Sequence, residues 1–592
     1  MRQLVRMAAA GTVALAMFGL APISQAVGQT APAGTTPVTS QGLVYRGSSN
    51  LGALAAQART TAPNQAAAPT HVVGPANRPA QTAVPVPNPS STAVVHGKGG
   101  SQGFVAVTVA QQAAAHGGDL EPPDQGLCAH AGEMIEPVNV ALQVYSESGS
   151  ALSPVVDLNA FYGLPPAVSP SRTFGPFISD PRCYYDGQTG RWFITALEID
   201  VNPYSGALGF RSSELLAVSQ TSDPLGSYGL FSIDTTNDGS DGTTAMGNCP
   251  CFGDQPRIGA DAHGFYISAD VYPINGVFNS NGGEILALSK QGLAAAAAGS
   301  APPPTLVTLY NGATTIQGEP ANAVQPAQTP EGGRYASDRE YFLSTPDFNG
   351  FATSGGAGAQ AVVLWALSGT STLSSATPSL TITDSVVPSE PFATPVNAAQ
   401  KPGPRPLGQS LKEPLPPISV NDDRMQQVEY TGGRLYSSLN TGIGAAGVAD
   451  RSGVAWFEVN PHGAGTMANQ GYLAVGSGAT LLYPAIGLTP AASGVMTFSV
   501  SGPHQYPSHA YVAFNQAGPS GSIYIDGPGT APEDGFTCYK ATGFGPACRW
   551  GDYSAASSDG QGNIVMGTEV IPDTARDPLA NWGTFLSVRA GG

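Results

Sequence analysis

The sequence predicts an all-β fold, a seven-bladed β-propeller built from four-stranded antiparallel blades. The main observation is an apolar strand that ends in Ser or Asn and recurs seven times, at 141–146, 215–219, 285–289, 364–368, 456–460, 511–515 and 584–587. A hairpin-like segment precedes most copies and a further strand follows most of them. No part of the 592 residues shows a sustained helical period. Four-stranded units repeated in this way are typical of propellers.

Each repeat extends on both sides of this central strand. Upstream, an Asp-containing strand runs into a Gly turn and a second strand rich in aromatic and β-branched residues, near 180–195, 254–268, 423–438 and 552–567. Such a turn between two strand-like runs predicts a tight hairpin. Downstream, a fourth strand is predicted near 228–233, 305–309, 380–383, 471–475 and 522–525.

The last repeat ends near the C-terminus without a fourth strand. The segment 103–109, Gly-Phe-Val-Ala-Val-Thr-Val, is an otherwise unassigned strand. We expect it to complete the seventh blade and close the ring, because closure removes a sheet edge that would otherwise invite aggregation.

The residues before this strand are expected to lie outside the fold. Residues 1–26 have two early arginines, an apolar run and small residues at Ser24-Gln25-Ala26, which predicts a signal peptide. The apolar run is too short for a membrane span. Residues 27–100, rich in Ala, Pro and Thr, predict a disordered linker. The propeller domain would then be 101–592, in a protein that is secreted to an extracellular or periplasmic compartment.

The charge composition excludes some partners. The chain has 24 Lys and Arg against 41 Asp and Glu, a formal net charge of −17. Such a surface repels phosphate backbones and anionic lipids, so we expect no nucleic-acid partner and no membrane insertion. We expect a monomer that binds a glycan or an extracellular protein. The low charged fraction, 11%, suggests acid tolerance as one interpretation and an ordinary acidic secreted protein as the other.

Six cysteines in an exported chain predict disulfides. Cys538 and Cys548 bracket a short Gly-rich loop and are expected to pair. Cys128 and Cys183 lie at similar places in neighbouring repeats and are a second candidate pair. The segment Cys249-Pro250-Cys251 would be awkward to close on itself, and a soft-metal site is the alternative.

A candidate site follows from the predicted topology. The longer loops fall at the end where the innermost strands begin, and the starts of those strands carry charge at 180–182, 254–257, 338–340, 422–424 and 549–553. Equivalent positions in a ring converge on the central channel. Paired carboxylates can act as acid and base in glycoside hydrolysis, and Arg presents a fork suited to carboxylate or sulfate.

The predicted roles are as follows. The catalytic candidates are Asp254, Asp423, Asp552 and Tyr553. The substrate-binding candidates are Arg182, Arg257, Arg424 and Arg549, with Trp550 as a stacking platform. No cofactor is certain, although a ring of Asp could hold Ca²⁺. The alternative interpretation is that the Asp/Arg pairs lock neighbouring blades together.

One motif carries a family resemblance. Residues 557–562, Ser-Ser-Asp-Gly-Gln-Gly, come nearest to the Asp-box of sialidase-like propellers, Ser-x-Asp-x-Gly-x-Thr-Trp, with the Gly displaced and no Trp. The chain therefore resembles the bacterial sialidase-like (BNR) propeller proteins over about 120–592. The resemblance implies an arginine set, which Arg182, Arg257, Arg424 and Arg549 could supply, and a Tyr, for which Tyr553 or Tyr483 is available. The family's residues do not map one by one, so sialidase activity is not implied.

Two functions stay open at this point. The first is a secreted hydrolase that acts on a polysaccharide or other anionic glycan through Asp and Arg at the channel mouth. The second is a non-catalytic surface or matrix propeller that binds glycan or protein through its long loops. The convergence of Asp and Arg favours the enzyme. The missing catalytic motifs and the long predicted linker favour the binding protein.

Overall fold

The computed structural model describes residues 38–40, 42–58, 84–89, 93–97, 99–169, 173–274, 280–310, 315–316, 319–346, 358–445, 447–476, 478–572 and 576–590. The predicted signal peptide, 1–26, lies outside the described residues. Four strands precede the repeats: β1 (Val38–Ser40), β2 (Leu43–Asn50), β3 (Val95–His96) and β4 (Gln102–Thr108).

The remaining strands form four-stranded antiparallel units that follow one another along the chain, numbered here as units 1 to 7. Unit 1 consists of β5 (Cys128–His130), β6 (Glu133–Val138), β7 (Ala141–Ser146) and β8 (Val156–Asp157). Unit 2 consists of β9 (Phe177–Asp186), β10 (Arg191–Val201), β11 (Leu208–Ser219) and β12 (Ser227–Asp234). Unit 3 consists of β13 (Cys251–Ala260), β14 (Gly264–Pro273), β15 (Gly283–Ser289) and β16 (Leu306–Tyr310).

A two-stranded pair, β17 (Thr315–Ile316) and β18 (Glu319–Pro320), precedes unit 4. Unit 4 consists of β19 (Gln325–Gln328), β20 (Arg339–Ser344), β21 (Ala359–Ser368) and β22 (Thr381–Phe392). Unit 5 consists of β23 (Val428–Thr431), β24 (Arg434–Ile443), β25 (Arg451–Asn460) and β26 (Thr466–Leu473). Unit 6 consists of β27 (Thr480–Leu488), β28 (Ser493–Gly502), β29 (Gln505–Asn515) and β30 (Gly518–Gly527). Unit 7 consists of β31 (Ala555–Ser558), β32 (Asn563–Val570), β33 (Gly583–Ala590) and the distant β4.

The helices are short and lie between strands. They are α1 (Leu51–Ala58), α2 (Val109–His116), α3 (Leu158–Phe161), α4 (Lys290–Ala297) and α5 (Pro406–Leu411), with 3₁₀ turns at Thr370–Ser374, Phe536–Cys538 and Lys540–Thr542. Among the described helices, none has the length and apolar character needed to cross a membrane.

The units are arranged in a ring. The first strand of each unit packs against the first strand of the next, and β31 packs against β5, so the innermost strands close on themselves. Units 4 and 5 are also joined by parallel pairing of β19 with β23. The predicted all-β propeller class is confirmed. The predicted closure is confirmed too, because β4 pairs with β33 from Gln102↔Val588 to Thr108↔Gly583.

The apolar runs of the sequence reflect burial on both faces of each sheet. Alternate residues of a strand point to opposite faces. In β10, Trp192 and Ile194 pack in the core that unit 2 shares with unit 1. Phe193, between them, packs on Phe265 of unit 3, with ring centroids 4.5 Å apart. A strand with a sheet on each side therefore reads as continuously apolar.

Part of the predicted linker is folded, which corrects the sequence prediction for those residues. Strand β2 pairs with β12 as a fifth, outermost strand of unit 2. Helix α1 follows directly, with Leu51 and Ala55 buried in the core of units 1 and 2. Strands β1 and β3 add to β16 and β30. The segment gives few large side chains to a core of its own, but backbone pairing to an existing sheet edge needs none.

All six cysteines form disulfides: Cys128–Cys183, Cys249–Cys251 and Cys538–Cys548. The first and third pairs were predicted. The prediction that Cys249 and Cys251 would resist pairing was wrong, and the bond between them removes both thiols from the soft-metal alternative.

Candidate active site

The innermost strands begin at one end of the ring, called here the mouth end, and several of these starts are fixed by the same contact. A backbone N–H donates to a polar side chain near the end of the preceding unit's second strand. The bonds are Asp180 to Asn139 Oδ1 (2.8 Å), Ala323 to Asp270 Oδ1 (2.7 Å) and Tyr483 to Asn440 Oδ1 (2.8 Å). The three donors have φ of 54°, 49° and 49°. The hydrogen bond helps to offset the cost of this left-handed backbone.

Two long connections bring further side chains to the mouth. Residues 393–427, between units 4 and 5, and 528–554, between units 6 and 7, pack together in one core that contains Ile418, Tyr539 and the Cys538–Cys548 disulfide. Backbone bonds from Ser419 N to Cys548 O (2.9 Å) and from Cys548 N to Pro417 O (2.9 Å) hold them side by side. The chain segments that carry Arg424 and Asp552 are therefore held in place by a packed core.

Gln255 lies at the centre of the mouth and connects four units. Its backbone N–H donates to Asp180 Oδ2 (3.1 Å) and its amide Nε2 donates to Asp552 Oδ2 (2.7 Å). Its Oε1 accepts from Arg257 Nη2 (3.1 Å) and from Arg424 Nη1. The side chain is 2% exposed. Sequence reasoning missed this residue because a lone Gln beside an Asp carries no recognisable signal.

Asp552 is held as an acceptor of several hydrogen bonds. Besides Gln255, Asn421 Nδ2 donates to its Oδ1 (3.2 Å) and Arg549 Nη2 donates to its Oδ2 (3.0 Å). The Arg549 side chain is 34% exposed, against 8% for Asp552. These donors fix the position of the carboxylate, and the partly exposed guanidinium beside it can reach a bound anion or sugar hydroxyl.

Asp254 has the opposite environment. Burial raises the pKa of its carboxyl well above the ordinary value, and the neighbouring charges of Asp180 and Asp270 raise it further. Among the described residues its carboxyl has no hydrogen-bond partner, and the residue is 8% exposed. An environment of this kind favours the protonated form of the carboxyl.

Two further carboxyls at the mouth also favour the protonated form. Burial and the charge of Asp552 raise the pKa of both Asp124 and Asp180. Asp124 Oδ1 accepts the backbone N–H of Asp552 (2.7 Å) and its Oδ2 accepts from Asn139 Nδ2 (2.7 Å). These bonds tie unit 1 to the start of unit 7.

The predicted arginines divide into two groups. Arg424 binds Asp422 through Nε–Oδ1 (2.7 Å) and Nη2–Oδ2 (2.8 Å), and Arg257 Nη2 binds Asp270 Oδ2 (2.9 Å). Both arginines are buried in these pairs, but each pair lies within one unit or the segment that leads into it, so neither pair is a lock between neighbouring blades. Arg182 instead lies over the ring of Tyr553, 3.2 Å from its centroid, and joins unit 2 to unit 7.

Two predicted placements are corrected. Trp550 is 1% exposed, donates its indole N–H to Ser499 Oγ (3.1 Å) and belongs to the core, so it offers no stacking surface. The charged segment 338–340 lies at the start of β20, the second strand of unit 4, and therefore at the opposite end of the ring. The inner strand of that unit is β19, which begins at Gln325 without a charge.

Asp423 is buried beside Arg424, and its catalytic role stays a prediction.

The opposite end, called here the turn end, is crossed by residues 329–338 of unit 4. Thr329 O accepts the Tyr184 hydroxyl (3.0 Å), the Tyr335 hydroxyl donates to Asp186 Oδ1 (2.5 Å), and Glu331 Oε1 lies 2.8 Å from His130 Nδ1. This segment therefore reaches across to units 1 and 2.

The channel aspartates do not converge as a metal site does. Within the part of the chain that the structure describes, one group brings three possible ligand atoms within 4.8 Å of one another: Glu121, Glu533 and Cys538. The Cys538 sulfur is bonded to Cys548 and cannot bind as a thiolate. Calcium binding by the ring of Asp stays a prediction.

The fold resembles known propeller structures at low similarity. An α-L-arabinanase of Penicillium chrysogenum in complex with arabinobiose aligns with 83% of this chain and 98% of its own, at 11% identity and a TM-score of 0.32. A GH93 α-L-arabinofuranosidase of Fusarium graminearum aligns with 82% of this chain and 98% of its own, at 8% identity and a TM-score of 0.33. An exo-β-1,3-galactanase of Clostridium thermocellum aligns with 81% of this chain and 96% of its own, at 10% identity and a TM-score of 0.27.

These values are too low to assign a family or an activity. No protein-family model and no curated protein sequence matches this chain. The sialidase-like resemblance of the sequence therefore stays a prediction.

Proposed function

We propose that the protein is a glycan-active hydrolase whose reaction takes place at the mouth of the ring. The observation that carries the proposal is the contrast between Asp254 and Asp552. They are connected through Gln255, which follows Asp254 in the chain and donates to Asp552. One carboxyl is buried without a partner, whereas the other accepts hydrogen bonds from an arginine and two amides. Two carboxyls in contrasting environments are what acid and base roles require.

Asp254 is the proposed general acid. Its raised pKa favours the protonated carboxyl, and the proton would pass to the glycosidic oxygen as the bond to the anomeric carbon breaks. Asp552 is the proposed partner. Its carboxylate either takes a proton from the attacking water or attacks the anomeric carbon itself.

The neighbouring side chains would orient the substrate. Arg549 is the most accessible guanidinium beside Asp552 and would bind a hydroxyl or carboxylate of the sugar. Arg182 and Tyr553 would act through position, because their stacking fixes the wall between units 2 and 7. Arg257 and Arg424 would hold Gln255 in place.

A panel of plant, fungal and bacterial polysaccharides tests the proposal through release of reducing ends. We expect the wild-type protein to cleave at least one member of the panel. Asp254→Asn and Asp552→Asn should each lower kcat by 10²-fold or more, the range of general acid–base contributions. Asp223→Asn, an exposed carboxyl in the turn-end loop between β11 and β12, is the matched control and should leave turnover unchanged. Equal activity in all four proteins would contradict the proposal.

The second candidate is a non-catalytic propeller that binds glycan or protein. It is favoured by the burial of Arg257 and Arg424 in pairs with Asp270 and Asp422, which leaves these guanidiniums bound within the protein and not free for a substrate. This function would be selected over hydrolysis if a panel member binds without release of product and if its affinity is unchanged in Asp254→Asn and Asp552→Asn.

A further inference from the structure

A concave site lies at the turn end, between units 4 and 5. The cavity has a volume of about 670 Å³. Its walls include Arg334 and Arg339 of unit 4 and Tyr430 and His462 of unit 5. The proposed hydrolase centre is at the other end of the ring, so this cavity forms no part of it.

The two arginines are exposed and available for a ligand. In the described ranges neither guanidinium has a hydrogen bond or an ion pair. This contrasts with Arg257 and Arg424 at the mouth, which are buried in salt bridges. Free arginines that share one cavity are notable in a chain with only 24 basic residues and a net charge of −17.

The local charge of the cavity is positive. Asp338 is the one carboxylate among the lining residues, and its Oδ1 already accepts the backbone N–H of Ser371 (2.7 Å). Glu340, next to the cavity wall, is 2% exposed, and burial raises the pKa of its carboxyl, which favours the neutral form. Two guanidiniums therefore face one carboxylate, and the cavity attracts anions.

Tyrosines provide the flat part of the wall. The rings of Tyr341 and Tyr430 stack across the boundary of units 4 and 5, with centroids 5.8 Å apart and planes 29° apart. Tyr335 is fixed by its hydrogen bond to Asp186 and by the Lys290 ammonium 3.7 Å from its ring centroid. Aromatic faces accept the C–H surface of a sugar, and hydroxyls at their edges can bond its oxygens.

We infer that this cavity is a binding site for an anionic saccharide, in which Arg334 and Arg339 bind a carboxylate or sulfate group and the tyrosines contact the ring. Guanidiniums recognise both groups through paired N–H donors. The site needs no catalytic activity at the mouth. It would retain a charged polysaccharide on the face opposite the proposed hydrolase centre.

Calorimetric titration of the full chain tests this inference with three probes: trigalacturonate, a sulfated trisaccharide and the neutral maltotriose. An Asp254→Asn/Asp552→Asn background removes turnover and shows whether binding survives loss of the mouth carboxyls. We expect an anionic probe to bind in both backgrounds and the neutral probe to bind at least 10-fold more weakly. If only one anionic probe binds, that result identifies the charged group.

The Arg334→Ala/Arg339→Ala variant should weaken anionic binding at least 10-fold. Arg211→Ala, which removes an exposed arginine of unit 2, is the matched control and should bind as the wild type does. Both variants change exposed side chains, and circular dichroism checks that they fold. Unchanged affinity in the double Arg variant, equal binding of the neutral probe, or no binding of either anionic probe would overturn the inference. None of these outcomes depends on whether the mouth hydrolyses a glycan.

Discussion

At the scale of single residues, buried ion pairs hold the inner strands at the mouth. Arg424 and Asp422 are each 4% exposed and share two hydrogen bonds. Removal of Arg424 alone leaves a buried carboxylate without its counter-charge, which typically costs 3–5 kcal/mol. We therefore expect Arg424→Met to lower the free energy of unfolding by about 4 kcal/mol in urea denaturation.

A matched pair of variants checks the cause of that loss. Arg424→Met/Asp422→Leu removes both charges and should recover part of the stability. Arg211→Ala breaks an exposed pair with Asp241 and should cost about 1 kcal/mol or less. A loss in Arg424→Met no larger than that of Arg211→Ala would show that the buried pair does not hold the strand.

The acidic and basic residues of the mouth were predictable from their position before each inner strand, but their roles were not. Asp254 and Asp423 look alike in the sequence, and burial and neighbours distinguish them only in the folded chain. Gln255 could not be predicted either, because its contacts with four units exist only in the folded chain. Asn139, Asp270 and Asn440 did leave a signal, since each follows an apolar residue near the end of a second strand. Superposing the second strands of the repeats would have found them.

At the scale of elements, closure of the ring depends on β4. Its pairing with β33 covers the last sheet edge, and the Val107 N–H donates to the buried Glu136 (3.3 Å). We expect deletion of 101–110 to lower the melting temperature by more than 10 °C or to abolish folding, because at this size about 1 kcal/mol shifts Tm by roughly 2 °C. A melting curve identical to that of the full chain would refute closure by this strand.

Loss of strand β2 and helix α1 should lower stability less than loss of β4. They add a fifth strand to unit 2, which has four strands without them. We expect a chain that begins at residue 59 to fold and to melt several degrees lower, because Leu51 and Ala55 leave the core and β1 no longer pairs with β16. Unchanged melting would show that this segment contributes nothing to stability.

The sequence predicted the central strands of the repeats well, because burial on both faces makes them apolar throughout. It could not predict β2 or the start of unit 4. Strand β2 is held by backbone bonds to an edge, which its composition does not reveal. In unit 4 the charged segment 338–340 resembles the start of an inner strand, but the inner strand lies upstream at β19.

At the scale of the whole molecule, buried carboxyls make stability depend on pH. Burial raises the pKa of Glu136 and Glu284 to about 7. Burial, together with the charge of Asp559, raises the pKa of Glu147 and Glu331 to about 7 as well. In the unfolded chain these groups titrate near 4.5. Between these values the folded state binds more protons, so stability rises as pH falls from about 7 towards 4.5.

We therefore expect the melting temperature to be several degrees higher at pH 5 than at pH 8, as measured by calorimetry. Glu284→Gln should remove up to about 1.4 kcal/mol per pH unit from the slope in this window. Glu390→Gln, at an exposed position, is the control for the loss of one surface carboxyl. A melting temperature that falls steadily from pH 8 to pH 5 would contradict the assignment and the acid-tolerance interpretation.

The most direct test of hydrolysis at the mouth compares two substrates in the Asp254→Asn variant. The first is the glycan that the wild type cleaves best, whose leaving group needs a proton. The second is the matching 2,4-dinitrophenyl glycoside, whose leaving group departs without one. If Asp254 is the general acid, kcat/KM should fall by 10²–10⁴-fold on the glycan and far less on the activated glycoside. An equal fall on both substrates, or no fall on either, would contradict the role of Asp254 on which the account depends.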